Sequence, residues 1–284
     1  MMKRSTTRGA ARRLCDRAFV VFCLLALVFG IGFLLATLYS LVVRGLPGMS
    51  LALVTENTPP PGVESGGGLL NAIVGSLIIT ALAMAIATPI GVLIATYLVE
   101  FKGRGRLANF VRFMNDVLLS GPSIIVGLFV YALLVRPMGG FSGLAGAVAL
   151  AVIAVPMIVR PAEGVLALIP QQVREAAVAL GVPRWKVTVL ILWRAATGGL
   201  ITAVLLATAR VAGETAPLLF TALNNQFFSA DIFAPMANLP VVMFNFALSP
   251  YENWQNLAWS GAVLITLSIL VLSIVARLVF REQR

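Results

Sequence analysis

Pro170-Gln171-Gln172-Val173-Arg174-Glu175-Ala176-Ala177-Val178-Ala179-Leu180-Gly181-Val182-Pro183-Arg184-Trp185-Lys186 separates two long apolar runs with a short charged passage. Proline suits the first position of a helix, where its missing N–H has no intrahelical partner to lose. Glycine suits the position after the last residue, and a proline just beyond prevents continuation. The spacing predicts a helix of about ten residues that ends in a turn at Gly181. Ala176, Ala177 and Ala179 make it smooth enough for close docking, while Arg174, Arg184 and Lys186 surround it with charge. The competing reading is a solvated amphipathic loop in which Glu175 only stabilises the helix start through the macrodipole.

The runs on either side belong to a chain of 284 residues, 60% hydrophobic and 11% charged, with a mean hydropathy of +0.97. A soluble domain averages about 45–50% apolar and about 25% charged residues, so the composition is that of an integral membrane protein. Stretches of about 20 apolar residues can cross a hydrocarbon core of about 30 Å. Six are present, at residues 18–43, 71–98, 117–135, 142–159, 195–213 and 257–276. The expected fold is all-α and polytopic, with six transmembrane helices. The first run is far longer than a secretory h-region, which is about 7–15 residues, so it reads as a retained signal anchor.

The excess of 21 Lys and Arg over 11 Asp and Glu tests the topology of those spans. Six cations precede the first span, four lie in 99–112, five in 160–194 and three in the C-terminal tail. Only Arg44 and Arg136 lie on the other side, and Arg210 falls inside the fifth span. Eighteen against two places both termini in the cytoplasm. The charge is thus an orientation signal and a contact with anionic lipid, not a nucleic-acid footprint.

On the external side, residues 45–68 are rich in proline and glycine and form a loop. Residues 214–255 contain a run at 239–248 that is apolar yet too short to span, which predicts interfacial or re-entrant helices. Phe227, Phe228, Phe233, Tyr251, Trp254 and Trp259 would form an aromatic belt at that face. Small residues recur every fourth position at Gly75, Ala83, Ala87, Gly91 and Ala95, interrupted by Ile79, and again at Ala195, Gly199, Ala203 and Ala207. Such stripes let helix backbones approach, within this bundle or against a partner subunit.

Bond-making chemistry is poorly provided for. There is no histidine, the usual general base. Cys15 and Cys23 read as small apolar packers, which excludes a disulfide scaffold or a Cys/His zinc site. No G-x-x-x-x-G-K-[ST] loop could cradle nucleotide phosphates. Gly140-Phe141-Ser142-Gly143 has the look of a serine-protease motif but lacks a histidine base, so it reads as small residues at a helix start.

Charges inside spans are costly, about 2.5–3.5 kcal/mol at a span centre, so those that occur tend to be paired and functional. Arg210 and Glu214 are four apart and would share one helical face. Arg210 lies sixteen residues beyond Arg194, about 24 Å up a helix, in the outer half of the core. One reading is a self-neutralising structural pair. The other is that Arg210 offers its planar fork of donors to a passing anion, Glu214 limits how tightly that anion binds, and Thr215 adds a hydroxyl. Arg160 and Glu163, either side of Pro161, form a second expected pair, as an interfacial salt bridge or an exit gate.

The loop also resembles a known pattern. Glu175-Ala176-Ala177, three residues, then Gly181, with Ile191 ten positions later, is similar to the E-A-A-x3-G-x9-I loop of ABC importer permeases. At its end the family often has I-x-L-P, where this chain has Ile191-Leu192-Trp193-Arg194. Gly213-Glu214-Thr215-Ala216-Pro217-Leu218-Leu219-Phe220-Thr221-Ala222 and Ala237-Asn238-Leu239-Pro240, with residues 62–76 and 115–127, resemble the phosphate-specific members of that family over nearly the whole chain.

The resemblance implies a permease domain over 71–276 with its coupling loop at 170–194, preceded by a basic tail at 1–17 and by a span and loop at 18–70, and followed by a tail at 277–284. It implies that Arg174, Glu175, Ala176, Ala177, Gly181 and Arg184 couple to a cytoplasmic ATPase. Phosphate would pass Arg210, Glu214, Thr215, Arg160 and Glu163. The implied partners are a second permease subunit (PstC-like), two ATPase subunits (PstB-like) that bind ATP and Mg, and a periplasmic phosphate-binding protein (PstS-like). The implied location is a bacterial inner membrane, and the chain itself would bind no cofactor or metal and catalyse no reaction. Sulfate or phosphonate is the alternative substrate, and an ion-coupled carrier or a non-transporting scaffold the alternative class.

Overall fold

Within a bilayer a chain can meet its backbone hydrogen bonds only internally, and consecutive apolar runs of this length do so as helices. A computed structural model describes residues 4–101 and 105–281, and every regular element among them is helical. In order these are α1 (Arg4–Gly45), α2 (Leu51–Thr55), α3 (Leu70–Thr96), α4 (Arg106–Ser120), α5 (Ser123–Val130), α6 (Arg136–Met138) and α7 (Gly143–Ala167). They are followed by α8 (Gln171–Ala179), α9 (Arg184–Lys186), α10 (Trp193–Val211), α11 (Ala216–Leu219), α12 (Leu239–Ala247) and α13 (Glu252–Arg281). Three π-turns interrupt the regular geometry: Tyr97–Phe101 extends α3, Tyr131–Val135 joins α5 to α6, and Val187–Leu192 joins α9 to α10. Lys3, Lys102, Arg104 and Arg284, counted in the charge balance, lie outside the described residues.

Among the described residues five helices are long and apolar enough to span singly, and α4 with α5 and α6 forms a sixth passage as a bent pair. The straight span expected over 117–135 is therefore corrected. Residues 117–120 close α4, and the axis turns by 104° before α5. The cause is Gly121-Pro122: proline disfavours helical geometry at the residue before it, and Gly121 is extended at φ −71°, ψ 148°. The fourth span also runs further than expected, continuing through Pro156 and Pro161 to Ala167.

The centre of the bundle is built where small side chains permit contact. α3 and α7 share the most extensive interface, with Ala83 and Ala87 of α3 and Ala147, Ala154 and Ile158 of α7 fully buried. Ile79, which interrupts the small-residue stripe, is itself buried and packs in the same cluster as Leu218 and Ala222. In α10 the stripe turns inward at Ala203 and Ala207, whereas Ala195 is exposed and Ala196 is buried in its place. The stripes thus serve packing within this chain. α1 stands apart, packed along α13 with most of its apolar side chains exposed.

Long connections need partners for their backbone groups, and residues 212–238 find them at one end of the bundle. The first amides of α7 have no intrahelical acceptor, and those of Gly143 and Leu144 donate to the carbonyls of Ala234 and Ile232, at 3.1 and 2.8 Å. Ser142 donates to Thr221 O at 3.0 Å. Asn238 caps α12 by accepting from Val241 N at 3.1 Å, and Leu239 N donates to Ser76 Oγ on α3 at 2.7 Å. The short apolar run expected to be interfacial or re-entrant is α12, packed on α3 and α13.

At this same end the loop after α2 is held by Trp254 Nε1 donating to Pro59 O at 3.2 Å and Asn253 Nδ2 to Gly66 O at 3.1 Å. Buried Asn71 donates to Thr58 Oγ1 and Asn225 O, both at 3.0 Å. The expected aromatic belt is only partly formed. Phe227, Phe228, Phe233 and Tyr251 are exposed, but Trp254 stacks on Phe246 at 4.3 Å and Trp259 lies under Arg44. α1 arrives at this end and α13 leaves from it, so the outer ends of both helices point toward the α8 side.

Candidate functional site

Helix α10 ends at Val211, before Gly213 and well before Pro217. Arg210 therefore lies in its last turn, where the negative end of the macrodipole favours a cation. Glu214 lies beyond the helix, its amide bonded to Val211 O at 3.1 Å, and Thr215 leads into α11. The expected shared face of Arg210 and Glu214 is lost with the helix. Arg210 is exposed, Glu214 and Thr215 are half-buried, and no acidic side chain among the described residues lies within ion-pair distance of Arg210.

The turn after Glu214 is fixed by packing. Pro217 in the first turn of α11 is buried against α5, where a Cβ on Gly127 would stand 2.7 Å from Pro217 Cα. Thr221 Oγ1 donates back to Pro217 O at 2.8 Å. Arg210 is thus presented, with no acidic partner among the described residues, beside a short rigid turn.

Arg160 and Glu163 do not pair with each other. The bend at Gly121-Pro122 lays α4 against α7, and α4 supplies the counter-charges for both. Glu163 accepts from Arg112 Nε at 2.8 Å, and Arg160 pairs with Asp116. The charges alternate, with Arg112 and Asp116 four apart on α4 and Arg160 and Glu163 three apart on α7. Arg112 enters the sequence reading only as one of the four cations of 99–112, and the signal that links α4 to α7 is this complementary spacing. Asn115, between them in sequence, is buried with no hydrogen-bond partner for Nδ2 among the described residues.

Exposure separates the two pairs energetically. Arg112 and Glu163 are 28% and 17% exposed, Arg160 and Asp116 46% and 49%. Stranding a half-buried Glu163 costs more than breaking a solvated pair, which is worth under about 1 kcal/mol. Arg112→Ala is therefore expected to lower the thermal midpoint of the purified protein clearly and Arg160→Ala barely. Equal drops would contradict the burial.

α8 forms as expected and closes at Gly181, whose φ is 78° and whose neighbour Val182 donates to Ala177 O at 3.3 Å. No atom lies within 4 Å of a Cβ built on Gly181. Gly181→Ala is charged only for a left-handed backbone, about 1 kcal/mol, and thermal unfolding should show a correspondingly small shift. A much larger loss would mean that the position is sterically crowded.

Two expected docking residues of α8 turn inward. Ala177 is buried against Val187 and Leu192, and Arg174 pairs with Glu100 at 2.7 Å, only 14% exposed. Glu175, Ala176, Ala179, Leu180, Gly181 and Arg184 remain on the outer face. Glu100 is the partner that sequence reading missed, because the two residues lie 74 positions apart.

Residues 87–284 match the model of a family described as the binding-protein-dependent transport system inner membrane component. A curated relative from Yersinia pestis, the phosphate transport system permease protein PstA, is 49% identical over 284 residues, covering 100% of this chain and 96% of the relative. The PstA of Haemophilus influenzae is 50% identical over 260 residues, 92% of each chain. Among solved structures, an inward-facing form of the MetNI methionine ABC transporter superposes with a TM-score of 0.59 at 20% identity, covering 75% of this chain and 92% of that one, a likeness of fold.

Proposed function

The chain belongs to the binding-protein-dependent transport system inner membrane component family, and on that premise we propose that this multi-pass membrane protein imports phosphate as a permease subunit of an ABC importer. The observation that carries the substrate is near-half identity over the full chain to permeases named for phosphate transport. In this reading a second, PstC-like permease completes the pathway, two PstB-like subunits bind ATP and Mg, and a PstS-like protein delivers the anion. The chain holds no cofactor or metal and makes no bonds. The membrane is a bacterial inner membrane, and the α8 side, toward which the outer ends of α1 and α13 point, is the cytoplasm.

Closure of the ATPases displaces α8 through its outer face, at Glu175, Ala176, Gly181 and Arg184. The bundle opens to the outside, and phosphate passes Arg210 on its way in. An arginine with no acidic partner can exchange its solvation for the two oxygens of an oxyanion, by bidentate hydrogen bonds. Half-buried Glu214, which forms no ion pair with Arg210, supplies negative charge that keeps binding weak enough for release. Asp116 and Arg160, the more exposed of the α4–α7 pairs, form the exit, with half-buried Glu163 and Arg112 as its anchor.

Competition tests the substrate. Proteoliposomes of the whole complex should take up labelled phosphate with ATP, unlabelled phosphate should displace it, and sulfate or an alkylphosphonate should not. Equal displacement by sulfate would contradict a phosphate pathway.

A further inference from the structure

Helix α8 touches the bundle at few points. Its apolar footprint is Ala177, against Val187 and Leu192, while Val173, Val178 and Leu180 face outward at 37%, 47% and 83% exposure. One turn before Ala177, on the same face, Arg174 reaches in. Its Nε and Nη2 donate to Glu100 Oε1 at 2.8 and 2.7 Å, Nη2 also donates to Leu166 O at 3.1 Å, and Nη1 donates to Ile169 O. One guanidinium thus joins α8, the end of α3, the Leu166 carbonyl in the last turn of α7 and the Ile169 carbonyl just beyond it. Glu100 is only 11% exposed.

Two of the contacts of α8 fall on π-turns. Glu100 lies in Tyr97–Phe101 at the end of α3, and Val187 and Leu192 bound the π-turn that leads into α10. Such turns carry one residue too many for a regular helix and are places where a helix can shift register. Just beyond them α3 and α10 are tied to each other, Trp193 Nε1 donating to Thr96 Oγ1 at 3.0 Å. From there α3 runs without a break to the cluster that seats Val211 and Leu218, either side of Glu214.

We propose that Arg174 is a positioning residue rather than an ATPase contact, and that its pair with Glu100 is the strut that carries the displacement of α8 into α3. The proposal rests on the reading of the chain as an ATPase-driven permease. Without the strut, α8 still docks and still permits ATP hydrolysis, because its outer face is untouched, but its stroke is absorbed at the π-turn instead of moving α3. A merely structural pair would lower hydrolysis and transport together.

The test uses the assembled complex with its ATPase and binding protein in proteoliposomes, reading ATP hydrolysed and labelled phosphate imported in the same sample. Glu100→Gln keeps shape while removing charge, and Arg174→Gln removes the fork. Each is expected to lower phosphate imported per ATP by about tenfold, within the range of coupling factors between sites, with hydrolysis changed by less than about twofold. The double variant should be no worse than either single one, and Glu100→Asp should recover most of the ratio. An unchanged ratio in the single variants, a parallel fall of hydrolysis and import, or additive losses in the double variant would each overturn the strut. A wild-type complex that hydrolyses ATP without importing phosphate would instead overturn the functional reading, and the strut with it.

Discussion

Arg210→Ala is expected to abolish phosphate uptake while the complex assembles and melts as the wild type does. The two halves of this result come from one feature. Arg210 is exposed at the end of α10, with no acidic side chain within ion-pair distance among the described residues, so alanine strands no buried charge. Exposed substitutions of that kind change stability by about 0.5 kcal/mol or less. Transport is different, because a bidentate contact to an anion consists of charge-assisted hydrogen bonds worth about 1.5–3 kcal/mol each. Losing both corresponds to a fall of at least about a hundredfold in rate. Arg210→Lys should fall between, since an ammonium keeps the charge without the planar fork. If Arg210→Ala transported normally, the path would not run past Arg210. If it failed to assemble, the side chain would be structural after all.

Gly75→Val is expected to damage the protein itself. Gly75 of α3 faces the segment that leads into α12, and a Cβ there would run into Ala237 O and stand 2.9 Å from Met236 Cγ. A backbone carbonyl cannot rotate aside as a side-chain tip can. Met236 N donates to Ala222 O at 3.1 Å, and Asn238 Nδ2 donates to Leu223 O at 3.2 Å, so moving this segment disturbs the turn after Arg210 as well. Overpacking costs about 1–3 kcal/mol where neighbours can yield, and this site belongs at the upper end, about 3 kcal/mol. The thermal midpoint should drop and uptake should fall with it. A Gly75→Val protein that melts with the wild type would show that the 236–238 segment is not seated on α3.

These two positions also mark what the sequence makes legible. Gly75 belongs to a fourfold spacing that is visible by inspection, and the spacing finds the packed face because close approach requires small residues. Arg210 is conspicuous because a charge in an apolar run is expensive. The turn at Gly181 is legible because local chemistry alone sets it. What stays hidden depends on which elements meet. Arg160 and Glu163 look like partners at three residues apart, but the bend at Gly121-Pro122 delivers Asp116 and Arg112 to them instead. The apolar residues on both sides of Gly121 conceal that bend, since hydropathy runs through it. Arg210 and Glu214 look like neighbours on one helix face, yet α10 stops at Val211, short of Glu214. Arg174 reads as a surface cation because nothing near it in sequence shows that Glu100 waits beneath α8.

Reconstitution separates a driven permease subunit from a carrier and from a scaffold. The chain is placed in liposomes with its second permease subunit and binding protein, with and without the ATPase, and phosphate uptake is followed as ATP is added. Uptake that requires both the ATPase and ATP is the predicted result. Uptake by the membrane subunits without the ATPase, or no uptake by the complete assembly, would contradict it.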